Sequence, residues 1–130
     1  MRFLIKQQAL ILKISISVLI IFSFALKSEA QKPKDGSYTY EVAYAEWKGK
    51  SLGSTCLVRI KGDSIVVKHD GNKKMTGTKG MILDSGIIIK HKTGKWIIGH
   101  SAKDKDAKTI GDCDSGPSII DFKNKKFWSC

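Results

Sequence analysis

After its first thirty residues, the chain alternates apolar and polar positions in short runs. From Cys56 to Asp70 it reads Cys-Leu-Val-Arg-Ile-Lys-Gly-Asp-Ser-Ile-Val-Val-Lys-His-Asp, two alternating runs on either side of Gly62-Asp63. Glycine at the first of two central positions suits a II′ turn, whose twist matches that of the strands it joins. With that turn, Lys61 faces Ser64, Ile60 faces Ile65, Val58 faces Val67 and Cys56 faces His69. One face then gathers Cys56, Val58, Ile60, Ile65, Val67 and His69, and the other Leu57, Arg59, Val66 and Lys68. A slip of one residue would turn the apolar set to water, so burial pins this register.

The rest of the chain predicts more ribbons of the same kind. Ser37 to Trp47 alternates at first, with Tyr38, Tyr40, Val42 and Tyr44 on one face, and Lys48-Gly49-Lys50 reads as a turn. Lys73 to Gly80 is a loop or a weak edge strand, Met81-Ile82-Leu83 a short strand, and Asp84-Ser85-Gly86 a turn. Ile87–Lys92 and Lys95–His100 pair around Thr93-Gly94, which sets His91 opposite Trp96, Ile89 opposite Ile98 and Ile87 opposite His100 on one face. Ser118–Phe122 and Lys126–Cys130 form a last hairpin around Asn124-Lys125. Between them, Ser101 to Pro117 is irregular, and its Lys103–Ile110 part is where a helix would lie; connections this long are uncommon in small domains and usually functional or mobile. The expectation is all-β: seven or eight short strands in an antiparallel meander, closed as a small barrel or packed as a sandwich, with the barrel favoured.

The first thirty residues follow a different pattern. Arg2, Lys6 and Lys13 precede Ile14–Leu26, which is uncharged, and Ser28-Glu29-Ala30 ends the stretch with small residues at the positions a signal peptidase reads. As a helix that uncharged run would span about 20 Å, short of the roughly 30 Å hydrocarbon core. Residues 1–30 are therefore expected to be a signal peptide cleaved after Ala30; a retained N-terminal anchor is the alternative. Residues 31–130 form the single domain that remains, secreted or periplasmic, monomeric and not membrane-spanning.

Charge narrows the partners. The chain carries +11, and from Gln31 on it has nineteen Lys or Arg against eleven Asp or Glu, with Arg59 the single arginine. Bidentate recognition of phosphate favours Arg over Lys, so the composition argues against a specific nucleic-acid reader. Loose attraction to an anionic surface remains open, beside a plain role for lysines in keeping strand edges from pairing. Three cysteines follow Ala30, an odd number for an exported protein. Cys56 falls on an apolar strand face, whereas Cys113 is in a polar loop and Cys130 ends the chain. A Cys113–Cys130 bridge is expected, with a bridge from Cys56 to either as the rival.

Four constellations could carry chemistry. Cys56 beside His69 is the minimum for an activated thiol, but no third residue to orient the imidazole is identifiable. His69, His91 and His100 would need neighbouring hairpins to bind zinc or copper, and they lack tight ligand spacing. Asp104, Asp106, Asp112 and Asp114 suggest calcium, yet Lys123 stands where an EF-hand-like loop starting at Asp112 needs its bidentate Glu. Tyr38, Tyr40 and Tyr44, with Trp47, Trp96 and Trp128, could stack sugars or fill a core. No metal, cofactor or catalytic set is expected. The first expectation is a non-enzymatic module for a small ligand or glycan, using Tyr38, Tyr40, Tyr44, Trp96 and the Lys103, Asp104 and Asp106 region. The second is an interaction or inhibitor protein that docks the 101–117 segment on an envelope protein. The third is an enzyme using Cys56 and His69.

Overall fold

The computed structural model describes residues 31–130; the signal segment expected over residues 1–30 lies outside the described residues. Seven strands follow in order: β1 (Gly36–Tyr44), β2 (Lys50–Lys61), β3 (Ser64–His69), β4 (Ile82–Lys90), β5 (Trp96–Gly99), β6 (Ser118–Asp121) and β7 (Lys126–Ser129). Each pairs with the next, and β7 returns to β1 to close the barrel. Six of these pairs are antiparallel and the closing one is parallel. The parity explains it: in an up-and-down ribbon with an odd number of strands, the first and last run the same way. The meander expected from sequence is thus correct from neighbour to neighbour, and its closing seam is the exception.

The β2–β3 hairpin has the register that its sequence requires, with Ile60 opposite Ile65, Val58 opposite Val67 and Cys56 opposite His69. Those residues are buried together with Tyr40, Val42, Ile88, Ile98, Ile120, Phe122 and Phe127, so every strand contributes to one interior cluster. Apolar area removed from water on this scale is the main stabilising force in a domain of this size.

Three expectations about β4 and β5 are corrected. Asp84-Ser85-Gly86 is not a turn but the middle of β4, paired with Val67, Val66 and Ile65 of β3. That joins two expected strands and brings the count to seven. A Cβ on Gly86 would run into the Gly99 carbonyl oxygen and crowd the His100 ring, so the glycine serves a close approach within a strand. The β4–β5 register is also one residue off the expected one: Ile88 faces Ile98, Ile89 faces Ile97 and Lys90 faces Trp96. The His91 N–H donates to the Lys95 carbonyl and the Gly94 N–H to the His91 carbonyl, so the loop has three residues and Gly94, at φ 89°, takes the left-handed position. Ile88 therefore points inward, and Ile87 is exposed.

The 101–117 segment is a strap rather than a free loop. A short 3-10 helix, Ala102–Asp106, follows β5. The Lys92 N–H donates to the Lys105 carbonyl at 2.9 Å, which ties the strap to the far end of β4, and the Gly111 N–H donates to the Pro117 carbonyl at 2.8 Å on the way back. Ile97 and Ile119 pair with each other on the outer sheet face and are nonetheless buried. The strap lies over Ile119: a Cβ on Gly111 would strike its side chain. Cys113 in the strap is bonded to Cys130 just past β7, with their Cα atoms 5.2 Å apart, as expected, and Cys56 is free and buried. A bridge of this kind is compatible with an oxidising compartment outside the cytoplasm. Among the described residues no helix is long and apolar enough to cross a membrane.

Candidate functional site

The thiol and imidazole that sequence places face to face are adjacent in register, but their surroundings silence both. Burial first, and then the nearby Asp70 charge, push the Cys56 thiol up to about 12, so thiolate is scarce at neutral pH. His69 is 2% exposed and spends both ring nitrogens on backbone. The Gly71 N–H donates to Nδ1 at 2.9 Å, which leaves the proton on Nε2, and that proton goes to the Met75 carbonyl at 3.0 Å. No lone pair is left to take a proton from Cys56. His69 instead clasps the 70–81 loop onto β3, helped by the Gly80 N–H, which donates to the His69 carbonyl.

His91 repeats the device. Its Nδ1 accepts from the Thr93 side, and its Nε2 lies 2.8 Å from the Ala107 carbonyl, which holds the strap. The three histidines are not brought together. Among the described residues, the one group of metal-type ligand atoms within reach of each other is Glu46, Cys113 and Cys130, and its two sulfurs are already joined in the disulfide.

Beside His69, Asp70 anchors the loop through its carboxylate. Burial opposes its ionisation, but donation from the Thr55 hydroxyl and from the Asn72 amide and backbone N–H outweighs it and holds the carboxyl below the usual range. A folded-state value below the unfolded one stabilises the fold above about pH 4 and ceases to do so as pH falls through the folded value. Asp70→Asn should therefore be less stable than the parent at pH 7 and equal to it near the acid limit. Urea unfolding followed from neutral to acid pH checks this; a constant gap would mean that the loss is one of shape and not of charge.

The three tyrosines and Trp96 serve the barrel wall, whereas Trp47 is exposed. Tyr40 is in the core, and Tyr38, Tyr44 and Trp96 pack partly buried against it. The Tyr38 hydroxyl donates to the Lys34 carbonyl and that of Tyr44 to Ser54 Oγ. Trp96 meets Phe122 with ring centroids 5.8 Å apart, while Lys90 Nζ sits over its other side at 5.4 Å. No open row of rings forms from the alternating tyrosines.

A cavity of about 230 Å³ opens instead where β4, β5 and the strap meet. Asp84, His100, Asp104 and the hydroxyl residues Ser101, Ser115 and Ser118 line it. Asp84 points inward from β4 with its side chain 14% exposed, and its Oδ1 lies 3.1 Å from His100 Nε2. His100 is 65% exposed on its side chain, so the pair presents one imidazole edge to solvent. Asp104 Oδ2 accepts the His100 backbone N–H at 2.8 Å, which fixes the start of the strap. Of the strap residues named from sequence, Asp104 lines the cavity, whereas Lys103 and Asp106 are exposed outside it. Sequence missed Asp84 and His100 as a pair because they come from different strands and share no spacing; the in-strand glycine that admits the His100 ring was the one available sign.

Comparison with protein-family models, with curated proteins and with solved structures gave no match, so the chemistry of this cavity is read from its own residues.

Proposed function

We propose that the protein is an exported, non-enzymatic binding module whose cavity beside β4, β5 and the strap takes one ring of a polyhydroxylated ligand such as a glycan. The observation that carries this is the lining: two carboxylates, one imidazole and three hydroxyl residues converge on one opening. Carboxylates accept strong charge-assisted hydrogen bonds from sugar hydroxyls. The volume is below the roughly 300–1,000 Å³ of pockets that enclose whole ligands, which suits a single ring of a longer chain. Export is supported by the N-terminal pattern of residues 1–30 and by a disulfide that persists only where thiols oxidise. A binding role is favoured over catalysis by the silenced Cys56 and by the absence, among the described residues, of a hydroxyl hydrogen-bonded to His100.

Titration calorimetry against a panel of neutral oligosaccharides tests it. Asp84→Asn and His100→Ala should each weaken the best ligand about tenfold or more, the scale of one charged hydrogen bond, at unchanged thermal stability. Affinity that both variants leave intact rules out this cavity. The second proposal, docking on an envelope protein, is favoured by the exposed Lys103, Lys105, Asp106 and Lys108 of the strap. The strap is held by backbone bonds, so Lys103→Glu with Lys105→Glu should abolish capture of such a partner without loosening the fold.

A further inference from the structure

We propose that the rim formed by residues 45–53 and 70–82 docks on an anionic phospholipid surface. Up-and-down strand order puts the β1–β2 turn and the β3–β4 loop at the same end of the barrel. There the chain exposes large apolar side chains: Trp47 is 57% exposed, Leu52 61%, Ile82 59% and Met81 42%. Trp47 ends a 3-10 turn, Ala45–Trp47, that projects past β1. Leu52 is displayed by a bulge: between the Glu41–Thr55 and Ala43–Ser51 pairs, residues 52–54 oppose Val42 alone, and Gly53 takes φ 89°.

Lysines surround these residues. Lys48, Lys50, Lys73, Lys74 and Lys79 are all exposed on the same two segments. Lys74 Nζ lies where a Cβ on Gly53 would come within 2.7 Å of it, directly beside Leu52, and Lys79 packs over Gly71. Against them stand Glu46 and Asp70 on these segments, with Asp112 and Asp114 flanking the Cys113 that lies beside Glu46, and the Asp70 carboxylate is already engaged by Thr55 and Asn72. The rim is therefore basic and apolar at once.

That combination selects the occupant. Protein interfaces are depleted in Lys, and their hot spots favour Arg in flat, desolvated patches. Here the apolar groups stand apart, on a 3-10 turn, a bulge and the start of β4, and every cation is Lys. Exposed Trp and Leu sink into the headgroup–acyl boundary, while lysines stretch to diffuse lipid phosphates without needing a fixed partner geometry. The cavity plays no part in this contact, and none of its lining residues enters the test.

The test uses residues 31–130, which hold all seven strands and the closing β1–β7 pair and cluster as a unit of their own. Co-sedimentation is measured with vesicles of phosphatidylcholine alone and with about a third phosphatidylglycerol. Binding should rise about tenfold or more with the anionic lipid and fall in high salt. Trp47→Ala combined with Leu52→Ser should lose about tenfold of it with circular dichroism and melting unchanged, and Lys73→Gln with Lys74→Gln should lose several-fold. Lys61→Gln with Lys123→Gln, exposed at the opposite end, should lose less than about twofold. The proposal is overturned by partition that ignores lipid charge, that survives the Trp47 and Leu52 changes, or that falls equally with the opposite-end lysines.

Discussion

A chain lacking Lys103–Lys108 should fail to unfold cooperatively near the parent's urea midpoint, because the segment removed ties the strap to the far end of β4 and supplies the length that brings Gly111 onto Ile119. Ile97 and Ile119 belong to the outer sheet face, yet they are buried, and Gly111 of the strap lies against Ile119. Uncovering one such side chain costs about 1.5–3 kcal/mol. The deletion also removes the Lys105 carbonyl that accepts from Lys92 N–H and the Ala107 carbonyl bonded to His91. Domains of this size have about 5–15 kcal/mol in all, so the loss takes a large share. A stability within about 0.5 kcal/mol of the parent, the range of a neutral surface change, would show that the strap is dispensable. Replacing the same residues with a Gly-Ser stretch of equal length should recover most of the loss, since it restores the length and both accepting carbonyls. Side-chain changes such as Lys103→Ser should be close to neutral, because the strap's anchors are carbonyls.

The same strap explains where sequence could and could not be read. The β2–β3 hairpin is legible because one face is wet: Arg59 and Lys61 alternate with Val58 and Ile60, and a two-residue Gly-Asp loop admits one register. Over Ile87-Ile88-Ile89 alternation disappears, since the inner face meets the core and the outer face partly meets the strap. Only turn geometry could set the register there. Thr93-Gly94 looks like a two-residue turn, but Gly94 serves as the left-handed third residue of a longer one, so the facing pairs shift by one. Asp84-Ser85-Gly86 has the composition of a turn because β4 must admit the His100 ring beside it, and that demand arises only once β5 is in place. The cavity is illegible for a related reason. Asp84, His100, Asp104 and Ser115 meet through long-range pairing, and no local spacing encodes that.

Breaking the Cys113–Cys130 bridge should produce the other large effect, a loss of about 3 kcal/mol for a closed loop of this length. Its position suggests that the loss will be local as well as global. β7 has four residues, it supplies Phe127 to the core, and its parallel pairing with β1 is all that closes the barrel. Trp128 also lies against Gly49, where a Cβ would strike the indole ring. The bridge holds the chain end one residue beyond that seam. In a domain of about a hundred residues, 1 kcal/mol moves the melting midpoint by roughly 4–8 °C, so Cys130→Ser should melt about 12–24 °C lower. Reductant should bring the parent down to the variant and leave the variant unchanged, because the variant's two remaining cysteines, buried Cys56 and the unpaired Cys113, have no bridge between them to lose. Amide exchange should quicken first at Phe127–Ser129 and last at Ile60 and Ile65, which face each other in the β2–β3 hairpin and are buried in the core. Uniform quickening across both ladders would mean that the bridge acts on the unfolded chain alone, and an unchanged midpoint would mean that β7 holds without it.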